Sequence, residues 1–134
     1  MTVFKTNVSA KLWTEFDRAH MALMITKLLD HWQLSIADSL ILLGLSPYDE
    51  STLDFYRNGG SLAPSRDLVE RVAYLISINE LLDLLFPTEI SVSGKLMTTP
   101  NQKFSGQTPV EVIDQHGFVG LIMIKNYLES MVIR

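Results

Sequence analysis

The sequence predicts an all-α fold, and three observations carry that prediction. Apolar residues recur at three- and four-residue spacing through most of the 134-residue chain, the interval that sets them on one side of a helix. No segment alternates apolar and polar residues as a half-buried strand would. Capping residues fall at the ends of the periodic stretches, with Ser, Thr or Pro ahead of them and Gly or Pro behind. The chain shows neither an internal repeat nor a low-complexity segment.

The first helix is expected over residues 9–30. Ser9 can cap it, and Leu12, Trp13, Phe16, Ala19, His20, Leu23, Met24, Lys27 and Leu28 form its expected stripe. Asp30-His31-Trp32-Gln33 reads as a break. A second helix runs from about Ser35 to Leu43 and ends at Gly44; Ser46-Pro47 opens a third that reaches Arg57 and closes at Asn58-Gly59-Gly60. Glycine after a last turn suits the left-handed C-cap. Pro64-Ser65 begins the longest helix, to about Phe86, striped by Leu68, Val72, Leu75, Ile76, Leu82 and Leu85. Ile78 and Leu81 widen that stripe beyond the need of a surface helix, which makes this the central one. Pro87-Thr88 ends it and opens a shorter helix to about Met97, and further helices follow near 109–115 and 118–132.

Between them, Thr98 to Gln107 reads as a Pro-Asn turn and a small glycine corner. Thr108, Pro109 and Glu111 then form a capping box: the threonine oxygen accepts from the N–H of Glu111, and the glutamate reaches back to the N–H of Thr108. Proline at the first helical position loses no needed donor. So much local specification with no catalytic group suggests a shaped docking surface. The chain divides into an N-terminal helical domain, 1–86, and a small C-terminal module, 87–134. The second is too short to hold a core alone, so it must pack on the long helix, on a second copy or on a partner.

Composition limits the function classes. With 47% hydrophobic residues the chain can bury a real core, and charges or Gly/Pro interrupt every apolar run before it approaches a membrane span. Residues 1–11 lack a signal-peptide run, and there is no cysteine, so a cytoplasmic protein without membrane partners is the natural reading. The net charge is −4, the pI about 5.2, and no two of the 11 basic residues are adjacent; this is no obvious nucleic-acid binder. His20, His31 and His116 are far apart; Asp17 and His20 share a helical face but find no third ligand, so neither a metal nor a cofactor is expected. No G-x-S-x-G, P-loop or G-x-G-x-x-G motif appears, and an enzyme is the class with least support. Met21, Met24, Met97, Met123 and Met131 read as core filler, with an adaptable binding surface as the alternative.

Leu34 to Ser46 has the form of a helix-turn-helix scaffold. Ser35 caps it, Ser39 is small where helices cross, and Gly44 allows the tight turn. The next helix would be the recognition helix, with Ser51, Thr52, Asp54, Phe55 and Arg57 on its outer side. DNA contacts would fall to Ser51, Thr52, Arg57 and Arg66, the two arginines on phosphates. From His31 to Gly60, however, one basic residue (Arg57) stands against four acids (Asp38, Asp49, Glu50, Asp54), a formal −3 that opposes phosphate binding. Operator binding is therefore expected to be weak and salt-sensitive. The apolar outer positions Ile36, Ala37 and Ile41 imply a surface covered by a dimer mate or by another segment, and a homodimer is the expectation. A helical hairpin that binds nothing is the plain alternative.

The order of these features resembles a known family. Leu42-Leu43-Gly44-Leu45-Ser46 is followed by Thr52-Leu53-Asp54-Phe55-Tyr56-Arg57-Asn58-Gly59 and then by Glu70-Arg71-Val72-Ala73-Tyr74-Leu75-Ile76-Ser77-Ile78-Asn79. Leu85-Phe86-Pro87 and the Pro-Asn…Phe-x-Gly-x-Thr-Pro-x-Glu-Val-Ile module come behind. Over about residues 32–130 this resembles the Xre/MbcA/ParS-like antitoxins, in which a helix-turn-helix domain is joined to a C-terminal toxin-binding domain. The resemblance implies an antitoxin of a type II toxin–antitoxin system that sterically blocks a cognate protein toxin, commonly a RES-domain enzyme that consumes NAD, and that represses the shared promoter. It implies a docking corner of Pro100, Asn101, Phe104, Gly106, Thr108 and Pro109, with Lys125, Tyr127, Leu128 and Met131 on the tail helix. This chain departs from it in carrying Leu96-Met97 where an aromatic-Leu pair is common, an acidic recognition helix, and no long tail after Arg134. Phe104 is either packed locally or presented to a partner. The rival readings are a helix-turn-helix regulator with no toxin and a non-catalytic helical adaptor.

Overall fold

The computed structural model describes residues 13–87 and 94–133. Among them are six α-helices and no strand: α1 Glu15–His31, α2 Ile36–Leu43, α3 Glu50–Arg57, α4 Arg66–Leu85, α5 Pro109–His116 and α6 Phe118–Val132. Two 3₁₀ turns, Leu96–Thr98 and Gln102–Phe104, lie between α4 and α5. The all-α prediction holds.

Two helix starts differ from the sequence expectation. α1 begins at Glu15 because Thr14 caps it: its side chain accepts from the N–H of Asp17 at 3.0 Å, and the Asp17 carboxylate accepts from the N–H of Thr14 at 3.0 Å. This reciprocal pair satisfies donors that have no partner inside the helix. Ser9 and Leu12 lie outside the described residues. α3 begins at Glu50 and not at Ser46-Pro47, because the Asp49 carboxylate accepts from the N–H of Ser46 at 2.9 Å and closes a turn there first. The other ends fall where the caps put them. Ser35 accepts from Asp38, Gly44 is left-handed (φ 69°), and Ser65 accepts from Leu68. Gly94 and Lys95 are helical, and the expected start of that helix at Thr88 lies outside the described residues.

The stripe expected on α1 is only partly the buried one: Leu28 is in the core, and Trp13 and Met24 pack against it. Phe16 is 81% exposed and Leu23 38%, while Met21, Ala22, Ile25, Leu28 and Leu29 are buried and continue into Trp32. Apolar residues ring this helix, so spacing alone does not choose a face. The stripe through Phe16 also carries His20 and Lys27, which keep it in water. From Met21 to Trp32 the other stripe has no charge, and Arg18 at its start is satisfied by backbone carbonyls. Trp32 then donates through Nε1 to Asn79 Oδ1 on α4 at 3.0 Å, and Arg18 donates to the Leu62 carbonyl at 2.9 Å.

α4 is central, as its broad stripe predicts. Leu68, Val72, Leu75, Ile76, Ile78 and Leu82 are buried, and α4 packs on α1, α2 and, most extensively, α6. Of the three ways residues 87–134 could bury their apolar face, they use the long helix. One core runs from Met21 and Ile25 through Leu42, Leu75 and Leu82 to Met97, Ile113, Leu121, Ile124 and Leu128. Burying each of these leucines contributes about 2 kcal/mol, so 1–86 and 87–134 share one core. α5 and α6 cross with their backbones touching: a Cβ on Gly120 would stand 2.7 Å from both the Ile113 Cα and the Val112 carbonyl oxygen.

Candidate functional site

The expected corner is a closed piece of backbone organised by Asn101. Its N–H donates to the Gln107 carbonyl at 3.0 Å, and its own carbonyl accepts from Phe104 and Gly106, each at 3.0 Å. Its side-chain oxygen accepts from Lys103 at 2.9 Å. Two successive residues, Ser105 (φ 57°) and Gly106 (φ 86°), are left-handed, which turns the chain sharply enough to close these bonds. The sequence marks the glycine; nothing in it marks the serine, whose side chain ordinarily avoids that region. The capping box forms as read, with Glu111 donating to the Thr108 hydroxyl at 3.1 Å and Thr108 to the Glu111 carboxylate at 2.8 Å. Gln107 donates to Gln115 at 2.8 Å and ties the corner to the far end of α5.

The corner then packs on the tail helix. Phe104 is partly buried, edge-on to Tyr127 with ring centroids 5.3 Å apart and 74° between planes, and keeps one side open. Phe104 is therefore packed locally, with part of its ring left in water. Pro100 and Gly106 are exposed, Asn101 and Thr108 partly so. Lys125 places Nζ 5.0 Å over the Tyr74 ring, which itself stands edge-on to Phe118. Met131 packs partly against the core. Two of the expected docking residues are corrected: Leu128 is fully buried against the core and Pro109 is buried at the start of α5. Both have spent their surface inside the chain and shape the corner from beneath.

The expected DNA contacts are less available. Ser51 is exposed and Thr52 partly so. Arg57 is already paired, Nη2 with Asp30 at 2.9 Å and Nη1 with Asp54 at 3.5 Å, and Arg66 is paired with Glu70. A phosphate would have to displace these carboxylates. Beneath this surface Tyr56 is buried on α3, and burial pushes its hydroxyl above the ordinary 10.0; a backbone hydrogen bond at Ala63 pulls the other way, and the Asp49 charge adds to the rise. No group of three or more His, Asp or Glu among the described residues is placed to hold a metal, and none of the helices described is long and apolar enough to cross a membrane.

One feature escapes the sequence reading. A cleft of about 580 Å³ opens between α2 and α5, with Ile36, Ala37 and Ile41 on one wall, Ile113 and Asp114 on the other, and Arg71 at its base. The Arg71 guanidinium is nearly enclosed, with 12% of the side chain exposed. Nε donates to Asp67 at 2.9 Å and Nη1 to the Leu42 carbonyl at a long 3.5 Å. A Cβ on Gly44 would stand 2.7 Å from its central carbon, so that glycine makes room for it; one on Gly117 would stand in ordinary contact, 3.6 Å from Nη2. A charged residue beside Val72, deep in a central helix, was the available signal. The apolar outer face of α2 thus lines one wall of this cleft opposite α5: Ile41 is partly buried, while Ile36 (50%) and Ala37 stay exposed.

No family model matches the chain. The "Uncharacterized protein y4oB" of Sinorhizobium fredii (strain NBRC 101917 / NGR234) is 31% identical to it over 104 residues, 78% of this chain and 78% of that relative. The chain belongs to the y4oB family. An alignment of 104 residues is longer than either 1–86 or 87–134, so the likeness to y4oB crosses the boundary between them. What the y4oB family shares therefore includes parts of both halves of the common core.

Proposed function

We propose that this chain is an antitoxin: a non-enzymatic protein that docks its C-terminal corner on a cognate protein toxin and keeps substrate out of the toxin's cleft. A RES-type, NAD-consuming enzyme is the toxin the resemblance implies. The observation that carries the reading is the pre-formed corner. Its Asn101-centred bonds and Thr108–Glu111 box fix the backbone before any partner arrives, which lowers the ordering cost of association. Phe104 and Pro100 supply an apolar contact, and Asn101 and Thr108 a polar rim; Lys125 lies apart from them over Tyr74. Promoter repression belongs to the same reading as a weaker arm, because Arg57 and Arg66 must first leave their carboxylate partners.

Truncation after Phe86 is a poor test, since it strips α6 from the central helix. Substitution on the corner is cleaner. The product of the neighbouring gene is co-expressed with wild type, with Phe104→Ala, and with Phe104→Ala combined with Pro100→Glu. Helical circular dichroism should be retained in all three, while complex formation and protection from growth arrest are lost in the double variant. Full protection by a folded double variant would place the inhibitory surface elsewhere.

A further inference from the structure

The cleft between α2 and α5 shares no residue with the docking corner, and its electrostatics are unusual for an apolar groove. Two helices end there: α2 at Gly44 and α5 at Gly117, both glycines lining the cleft. Each helix C-terminus carries roughly half a negative charge from its unpaired carbonyls. Arg71 sits between those ends, but Asp67 neutralises it at 2.9 Å. Glu50 and Asp114 also line the cleft, and neither has an ion-pair partner among the described residues. Asp114 lies in the last turn of α5, where a carboxylate opposes the helix dipole. Glu50 lies at the start of α3 and offsets the favourable end of that helix. α6 starts at the same Gly117, so its positive end offsets the negative end of α5. The unpaired Glu50 and Asp114 and the α2 end leave the cleft negative, while its walls, Ile36, Ala37, Ile41, Leu45 and Pro47, are apolar and partly open.

We infer that this cleft docks a short basic amphipathic helix of a partner protein. The groove runs along α2, whose eight residues span about 12 Å. That length accepts two apolar side chains at i and i+4 of a helix laid between α2 and α5. Lysine or arginine on its flanks meets Glu50, Asp114 and the carbonyl end of α2. Arg71 Nη2 meets no acceptor among the described residues and can donate to a polar group on the incoming helix. The same charges exclude other occupants. A second copy would bring Glu50 and Asp114 against their own equivalents, and nucleic acid would bring phosphate to a negative groove. The inference stands apart from the role given to the corner, and its test leaves the corner intact.

The probe is a fluorescein-labelled peptide built of leucine at i, i+4 spacing flanked by arginines, beside the same peptide with every arginine replaced by glutamate. Anisotropy is read against the full chain, against Glu50→Gln with Asp114→Asn, and against Asp83→Asn with Glu129→Gln as a charge-matched control on exposed sites. The basic peptide should bind wild type and the control equally and the cleft variant about tenfold more weakly, the size expected for losing two partly exposed ion pairs. Isoleucine methyl resonances of Ile36, Ile41 and Ile113 should shift on binding. Equal binding by the cleft variant, an equal loss in the control, or equal binding of the glutamate peptide would overturn the inference. So would light scattering that reports twice the 15.1 kDa chain mass with the dimer lost on Ile41→Glu, which would make a second copy the occupant.

Discussion

Replacing Gly120 by alanine should destabilise this protein, although helix propensity alone gives the opposite sign. In a helix, alanine is favoured over glycine by up to about 1 kcal/mol. Here the added methyl would meet the Ile113 Cα and the Val112 oxygen at 2.7 Å and the Ile113 nitrogen at 3.1 Å, all backbone atoms of α5. No side chain can rotate away, so α5 and α6 must separate until the contacts approach their ordinary distance, a movement on the order of 1 Å. Overpacking of that kind costs about 1–3 kcal/mol, and the gap loosens Val112, Ile113, Leu121 and Ile124 together. With two backbone atoms at 2.7 Å the upper part of that range applies, so after subtracting the propensity gain the net loss expected for Gly120→Ala is about 1–2 kcal/mol, and Gly120→Val should lose more. Urea titration followed by circular dichroism reads it as a lower midpoint at unchanged slope. A midpoint at or above wild type for Gly120→Ala would refute the close crossing, and with it the seating of the corner on α6.

Two further outcomes follow from single groups. Thr108→Ala removes one half of the capping box and should lower stability by about 1 kcal/mol, with faster amide exchange at Glu111; unchanged exchange there would show that the box does not hold the corner. Tyr56 has its folded value raised above the ordinary 10.0, so its neutral form is the one folding favours. Its contribution is complete below pH 10.0 and is lost as pH rises through the higher folded value. Stability measured across alkaline pH should therefore fall above about pH 10 in wild type and fall less in Tyr56→Phe; parallel curves would assign the loss to other groups.

Much of this fold is written locally. Ser35, Gly44, Ser65, Thr108 with Glu111, and Gly117 each act within a few residues of themselves, so the helix boundaries they set could be read directly from the chain. The broad apolar stripe of α4 likewise announced the central helix, because no other arrangement hides so many faces at once. The Asn101 turn was legible for the same reason, its bonds closing within seven residues. What depends on distant segments was not legible. α1 carries apolar residues on both sides; His20 and Lys27 favour water on the Phe16 side, but spacing does not show this, and the burial of Met21 and Ile25 comes from packing on α3 and α4. Leu128 looks as available as Tyr127 on paper and is consumed by the core. Arg71 appears in sequence as one more charge on a long helix; it becomes the base of a cleft only when the ends of α2 and α5, marked by Gly44 and Gly117, converge on it from 27 residues before and 46 after. Capping and periodicity are short-range and survive in a one-dimensional reading, whereas the choice of a buried face and the meeting of helix ends are set by the packing free energy of the whole chain.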